Sequence, residues 1–345
     1  MAAPSLTLSR AGAINGDTGT WDKDNALFLK VFSSEVLTAF KRSCIFEPFT
    51  QVRTIQNGRS AQFPVTGRFT AKYQTPGEML IGQGDMAQNE VVIRIDDILV
   101  ADASLYSLDE AKSHFDIRSI YSTELGEALS REHDKRIART IALGARTSTS
   151  DLTADLPSGL SPDDPFRTGT IIDINKAAPT ADDYVAAVFG AAEALDRKDV
   201  SSENRVLACT PDAYYTLLQS SRAVNQDFNQ PGSNGSYASG QVAKLAGFTI
   251  VMSNNIAQGS VTAKTGEQGY VANGSVVKST ADMSNTHMLA FQKGGCGVVK
   301  LRDLSTGMTG NDYDVMYSAT LMTCKMAVGV GCLRPECCVE ISNSA

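Results

Sequence analysis

Between Ala26 and Phe40 the apolar residues Phe28, Val31, Phe32, Val36, Ala39 and Phe40 recur every three or four positions. That period gives one apolar stripe on a helix, and Asp24 and Asn25 place an N-cap signal in front of it. Such a helix needs a surface to lie on. The period then shortens to two. Residues 52–56 read as a strand, Asn57-Gly58 is a strong short-hairpin signal, and Ala61, Phe63 and Val65 alternate with polar neighbours, so a hairpin is expected to begin here. From there to Glu90 glycines stand at 67, 77, 82 and 84 with no apolar periodicity, which predicts a projecting loop. Strand character returns at residues 91–95 and 98–100.

Ser107 to Glu110 fits a capping box, and Ile117, Ile120, Tyr121, Leu125, Ala128, Leu129, Ile137 and Ile141 continue at helical spacing to an end near Gly144. Glu127 with Arg131 and Glu132 with Arg136 form i,i+4 pairs on the other face, and His133 falls among them as a solvated side chain. Residues 147–180 hold Pro157, Pro162 and Pro165 among Ser, Thr and Asp, and read as a connector. A helix over residues 184–195, a strand over 205–210, a helix opened by Pro211 and a strand over 247–253 then mark a second lobe. Residues 225–240 are glycine- and asparagine-rich loop. Strands are expected over 287–292, 297–301, 315–330 and 338–341, some of them returning to the first lobe as a long sheet.

At 345 residues, with 42% apolar and 20% charged residues, the chain can bury a full core but exceeds what one core usually serves, so two lobes with extensions are expected. Residues 1–24 lack the apolar content to order except against neighbours. The net charge of −7 argues against a surface built to grip phosphates, while suiting a container that does not stick to enclosed DNA. Seven cysteines at irregular spacing read as buried thiols of a reducing compartment. No signal peptide or membrane span is read, which points to the cytoplasm.

Charge is segregated along the expected hairpin. Arg53, Arg59, Arg68 and Lys72 occupy its first limb, and Glu78, Asp85, Glu90, Asp96, Asp97 and Asp102 follow with only Arg94 against them. The limbs either screen one another within the hairpin or also meet opposite charges on adjacent subunits.

The sequence carries no familiar catalytic constellation. His114, His133 and His287 are far apart in sequence, and no zinc-protease, nucleophile-elbow or phosphate-loop motif occurs. Cys332, Cys337 and Cys338 lack paired Cys-x-x-Cys halves. No catalytic residue, metal or cofactor is assigned, and the chain is read as a non-enzyme.

Several ordered blocks carry a family likeness: residues 26–40, 60–68, 95–102, 115–129, 300–304 and 333–336. In them the chain resembles the major capsid proteins of T-seven-like short-tailed phages, of the Hong Kong 97-type capsid family. The resemblance implies an α+β fold: an amino-terminal arm (1–50), an extended-loop hairpin (51–102), a peripheral domain with spine helix and connector (103–180), an axial domain (181–310) and return strands (311–345). It implies self-assembly into hexamers and pentamers of an icosahedral head in the host bacterial cytoplasm. The implied partners are a scaffolding protein, a portal protein and packaged double-stranded DNA bound without sequence specificity, with room for a decoration protein and no membrane. Phe28, Phe32, Phe40, Arg53, Arg59, Arg68, Lys72 and Glu78 are the expected inter-subunit contacts, held without covalent cross-links. The alternatives are an encapsulin-like nanocompartment shell and, more remotely, a cysteine- or metal-dependent hydrolase.

Overall fold

The chain's computed structural model describes residues 36, 39–40, 43–66, 73–77, 79, 88–112, 117–148, 168–176, 178–220, 244–256, 259–267, 269–272, 275–278, 280–309 and 315–344. In chain order the strands are β1 (Gln51–Thr54), β2 (Ser60–Thr66), β3 (Gln88–Arg94), β4 (Leu99–Tyr106), β5 (Thr170–Asp173), β6 (Arg205–Cys209), β7 (Lys244–Leu245) and β8 (Phe248–Met252). Four short strands follow, β9 (Ser260–Thr262), β10 (Tyr270–Ala272), β11 (Ser275–Lys278) and β12 (Thr280–Asp282). The last four are β13 (Thr286–Gln292), β14 (Cys296–Met308), β15 (Ala319–Cys332) and β16 (Cys338–Ser342).

The chain divides into two units, each discontinuous in sequence. The first takes the described residues of Met1–Ile45, Asp96–Lys135 and Lys300–Val328. Its sheet pairs β15 antiparallel to β4, from Ala319 opposite Tyr106 to Met326 opposite Leu99. Alternation along β4 and β15 turns one face inward, where Leu105, Met322, Cys324, Met326 and Val328 meet Leu125 and Leu129 of the helix Ile117–Ala145. Val36 and Phe40 complete that core.

The second unit takes Phe46–Ile95, Arg136–Val299 and Gly329–Ala345. Its main sheet has six strands in the order β5-β16-β13-β6-β8-β7. β6 and β8 are parallel, as are β16 and β5, whereas β13 runs antiparallel to both β6 and β16. A strand buried on both faces is mostly apolar, as Val206-Leu-Ala-Cys209 is, and Arg205 at its start is buried with its guanidinium donating to Asp196 and to the Val200 and Ser201 carbonyls. The helices Ala181–Arg197 and Pro211–Leu218 join the apolar core of this sheet through Tyr184, Val188, Ala191, Leu195, Ala213 and Leu217. Thr180 and Asp183 close a capping box on the first helix, and Pro211 opens the second where its missing N–H costs nothing.

Several expectations shift. The helical stretch from Ser107 is two helices, Ser107–Lys112 and Ile117–Ala145, and the side chain of Glu110 lies outside the described residues. Asn57-Gly58 does not close a two-residue hairpin: β1 belongs to the sheet of β14, and β2 pairs with β3 across the long loop instead. Gly58, in the segment between β1 and β2, sits at φ +119°, a backbone conformation that glycine adopts freely. Residues 315–317 form a helical turn ahead of β15. β16 does not return to the first sheet. Its buried run Cys338-Val-Glu-Ile341 lies between β13 and β5. The connector and the loop at 225–240 fall mostly or wholly outside the described residues.

Candidate assembly interface

The hairpin expected from the alternation is formed by β2 and β3, in register from Ser60 opposite Arg94 to Thr66 opposite Gln88. Its apolar face carries Ala61, Phe63 and Ile93, which pack with Val299 and with Ile55, Ile95 and Leu333. The other face is polar. Arg53 donates from Nη1 to the Gln62 carbonyl at 2.7 Å, and its guanidinium lies 5.5 Å from the centre of the Phe63 ring. Gln62 Nε2 donates to Glu90 Oε1 at 3.1 Å across the two strands of the hairpin. Arg59 is exposed, and its carbonyl accepts the Ile95 N–H at 2.8 Å. Arg68, Lys72 and Glu78 lie outside the described residues.

In the loop that joins β2 to β3, two large apolar side chains stand in water. Tyr73 is fully exposed and Met79 is 87% exposed. Side chains of this size are rarely left uncovered together in one loop of a protein that works alone. Sequence reading passed over both, because glycine spacing drew attention to the backbone and not to the side chains between.

The end of the arm segment has a different fate. Val36, Ala39 and Phe40 are buried in the first unit, and the arm crosses the long helix at Gly126. A Cβ at Gly126 would lie 2.7 Å from the Val36 carbonyl oxygen and 2.9 Å from the Ala39 Cβ, so the crossing is as close as a missing side chain permits. Asp134, wholly buried, holds the segment that follows: it accepts the Ile45 N–H at 2.9 Å and the Cys44 thiol at 3.2 Å. His133 is also buried, with its ring 6.3 Å from that of Phe40, because the arm covers this side of the helix. The expectation of a solvated His133 therefore fails. Phe40 moves from the expected subunit contacts into the chain's own core, while Phe28 and Phe32 lie outside the described residues.

Buried polar networks fix the rest. Arg146 donates from Nε and Nη2 to the two oxygens of Glu340, and Thr286 Oγ1 adds a third bond to that carboxylate. Glu267 receives Arg139 at 2.5 Å and 3.2 Å and Arg136 at 3.0 Å, so Arg136 turns inward to Glu267. All seven cysteines are free and six are buried. Burial pushes the thiols of Cys324 and Cys337 up to about 12 and raises Cys209 and Cys296 further, which suppresses the nucleophilic thiolate a cysteine hydrolase requires. Desolvation lowers His287, against an opposing pull from Asp212.

Residues 62–342 match the Gp10A-like family of major capsid proteins, a span that runs from β2 to the end of β16. The chain belongs to that family. The major capsid protein of Escherichia phage T7 is 34% identical over 324 residues, spanning 90% of each chain. The major capsid protein of Enterobacteria phage T3 is 31% identical over 336 residues, again across 90% of both. Among solved structures, the capsid of the cyanophage P-SCSP1u superposes with a TM-score of 0.73 at 34% identity, covering 99% of this chain and 93% of that one. The chain is a major capsid protein of phage heads with the Hong Kong 97-type fold, and self-association into a capsid lattice follows from that membership. Its relatives are structural proteins of phage virions, which favours a phage head over a nanocompartment shell.

Proposed function

We propose that the subunit builds pentamers and hexamers chiefly through the β2–β3 hairpin, whose loop lays Tyr73 and Met79 on an adjacent copy. The observation that carries this reading is the exposure of those two side chains between strands that are themselves firmly paired. Burying them across an interface repeated through a closed shell makes many modest contacts cooperative. Arg53 and Arg59, on the basic limb, add an electrostatic part that steers neighbours together and weakens as salt screens it.

In this reading the subunit has no catalytic role. A scaffolding protein templates the precursor shell in the host cytoplasm, a portal occupies one vertex, and double-stranded DNA is packaged without sequence-specific contacts. The net charge of −7 suits a wall that does not adhere to its contents. The double variant Tyr73→Asp, Met79→Asp tests the reading. Both side chains face solvent, so the variant should fold as the native chain does yet form no closed shells by negative-stain microscopy. Normal shells from it would refute the assignment.

A further inference from the structure

The foot of the hairpin rests on glycine. Ile93 and Arg94, at the end of β3, pass over Gly297 of β14 and over Gly329 and Gly331 of β15. A Cβ at Gly331 would lie 2.8 Å from Ile93 Cγ1, and one at Gly297 would lie 3.0 Å from Ile93 Cδ1 and 3.0 Å from Leu333 Cδ1. A Cβ at Gly329 would run into the carbonyl oxygen of Arg94, which is backbone and cannot rotate away. Glycine inside a strand sacrifices packing and chain entropy, so its use at three places under one foot points to a need for close backbone approach.

We propose that Gly329 and Gly331, assisted by Gly297, are positioning residues for assembly. Gly297 and Gly329 are buried within the chain itself, and Gly331 is half-buried. They let β3 sit directly on β15 and thereby fix the direction in which the hairpin leaves the body. Each strand of the hairpin has 7 residues and is roughly 24 Å long, so a small lift at the foot is multiplied at the far end, where the lattice contact is made. The inference rests on the reading that the hairpin carries that contact.

The test uses the full chain, co-expressed with the other head proteins of its phage, with shells counted by electron microscopy and folding followed by circular dichroism and thermal midpoint. Gly331→Ala and Gly329→Ala should each keep the native spectrum and a midpoint within a few degrees, while closed shells fall at least tenfold or change diameter. Adding Ile93→Ala to Gly331→Ala removes the obstructing Cγ1 and should restore shells. The same addition to Gly329→Ala should not, because its obstacle is the Arg94 carbonyl. Normal shells from both glycine variants overturn the proposal. So does a parallel loss of midpoint and shells that Ile93→Ala leaves unrepaired at residue 331, since the glycines would then be packing residues only. If the Tyr73→Asp, Met79→Asp variant also assembles normally, the hairpin reading itself has failed; if that variant is defective while the glycine variants are not, only the positioning role is lost.

Discussion

Arg146 places two N–H donors on Glu340, each at 2.5 Å, and the carboxylate that receives them is wholly shielded from water. Arg146 follows directly on the long helix, and Glu340 sits in the middle of β16, between β13 and β5. Hydrogen bonding to Glu340 raises the arginine above its usual value despite the burial that opposes it. Removing one partner strands the other charge. Glu340→Ala should therefore cost about 3 kcal/mol, toward the lower end of the range for broken buried pairs because Arg146 keeps some access to water. Urea unfolding of unassembled subunits measures it, and a loss below ~1 kcal/mol would show the pair to be incidental.

Phe40 and Tyr73 make a paired prediction. Phe40 is a core side chain of the first unit, so Phe40→Ala should destabilise the folded subunit by about 3–5 kcal/mol. Tyr73 is solvent-exposed, and Tyr73→Ala should change subunit stability by no more than ~0.5 kcal/mol while lowering shell yield. Denaturation curves and particle counts on both variants separate core from contact.

Acid dependence has a local source at Asp183. A bond from Lys176, with others from the Thr180 hydroxyl and N–H, holds its carboxyl down to about 2, below the ordinary 3.8. A depressed carboxylate stabilises the fold above its unfolded value, and that contribution disappears as pH falls from near 3.8 through about 2. Asp183→Asn should lower the thermal midpoint at pH 7, where the carboxylate contributes in full, and leave it nearly unchanged near pH 2, which flattens the fall across that window.

Thiol chemistry gives a further check. In the native chain at pH 8, a disulfide reagent should label Cys44 at most, because the other six thiols are buried, several with strongly raised values. All seven should react after denaturation. Rapid native labelling of Cys337 or Cys338 would contradict their placement.

Much of the fold was legible in the chain because local signals and burial agreed. Period-two alternation at Ala61 and Phe63, Pro211 at a helix start and the strand whose apolar run is 206–209 all stand where the sequence puts them. What misled were residues whose role depends on distant partners. Asn57-Gly58 has hairpin chemistry, yet β2 finds a better apolar partner in Val91 and Ile93 across the long loop. His133 looks solvated in a charged stretch and is buried, with its neighbour Asp134, because the arm crosses there. Gly126, Gly329 and Gly331 gave no sign of the backbones they admit, and nothing local distinguishes Glu267 as the partner of Arg136 and Arg139. The assembly residues were the least legible, since an exposed Tyr73 or Met79 becomes meaningful only once its surroundings are known to be bare.

The central claim is that this chain acts by closing a shell with its own copies through the hairpin loop. Electron cryomicroscopy of particles from cells expressing the chain with its head-assembly partners tests this most directly. The account predicts closed icosahedral shells in which the Tyr73 and Met79 side chains are buried against an adjacent subunit. Shells in which that loop points into solvent, or a population of folded monomers and no shells at all, would contradict it.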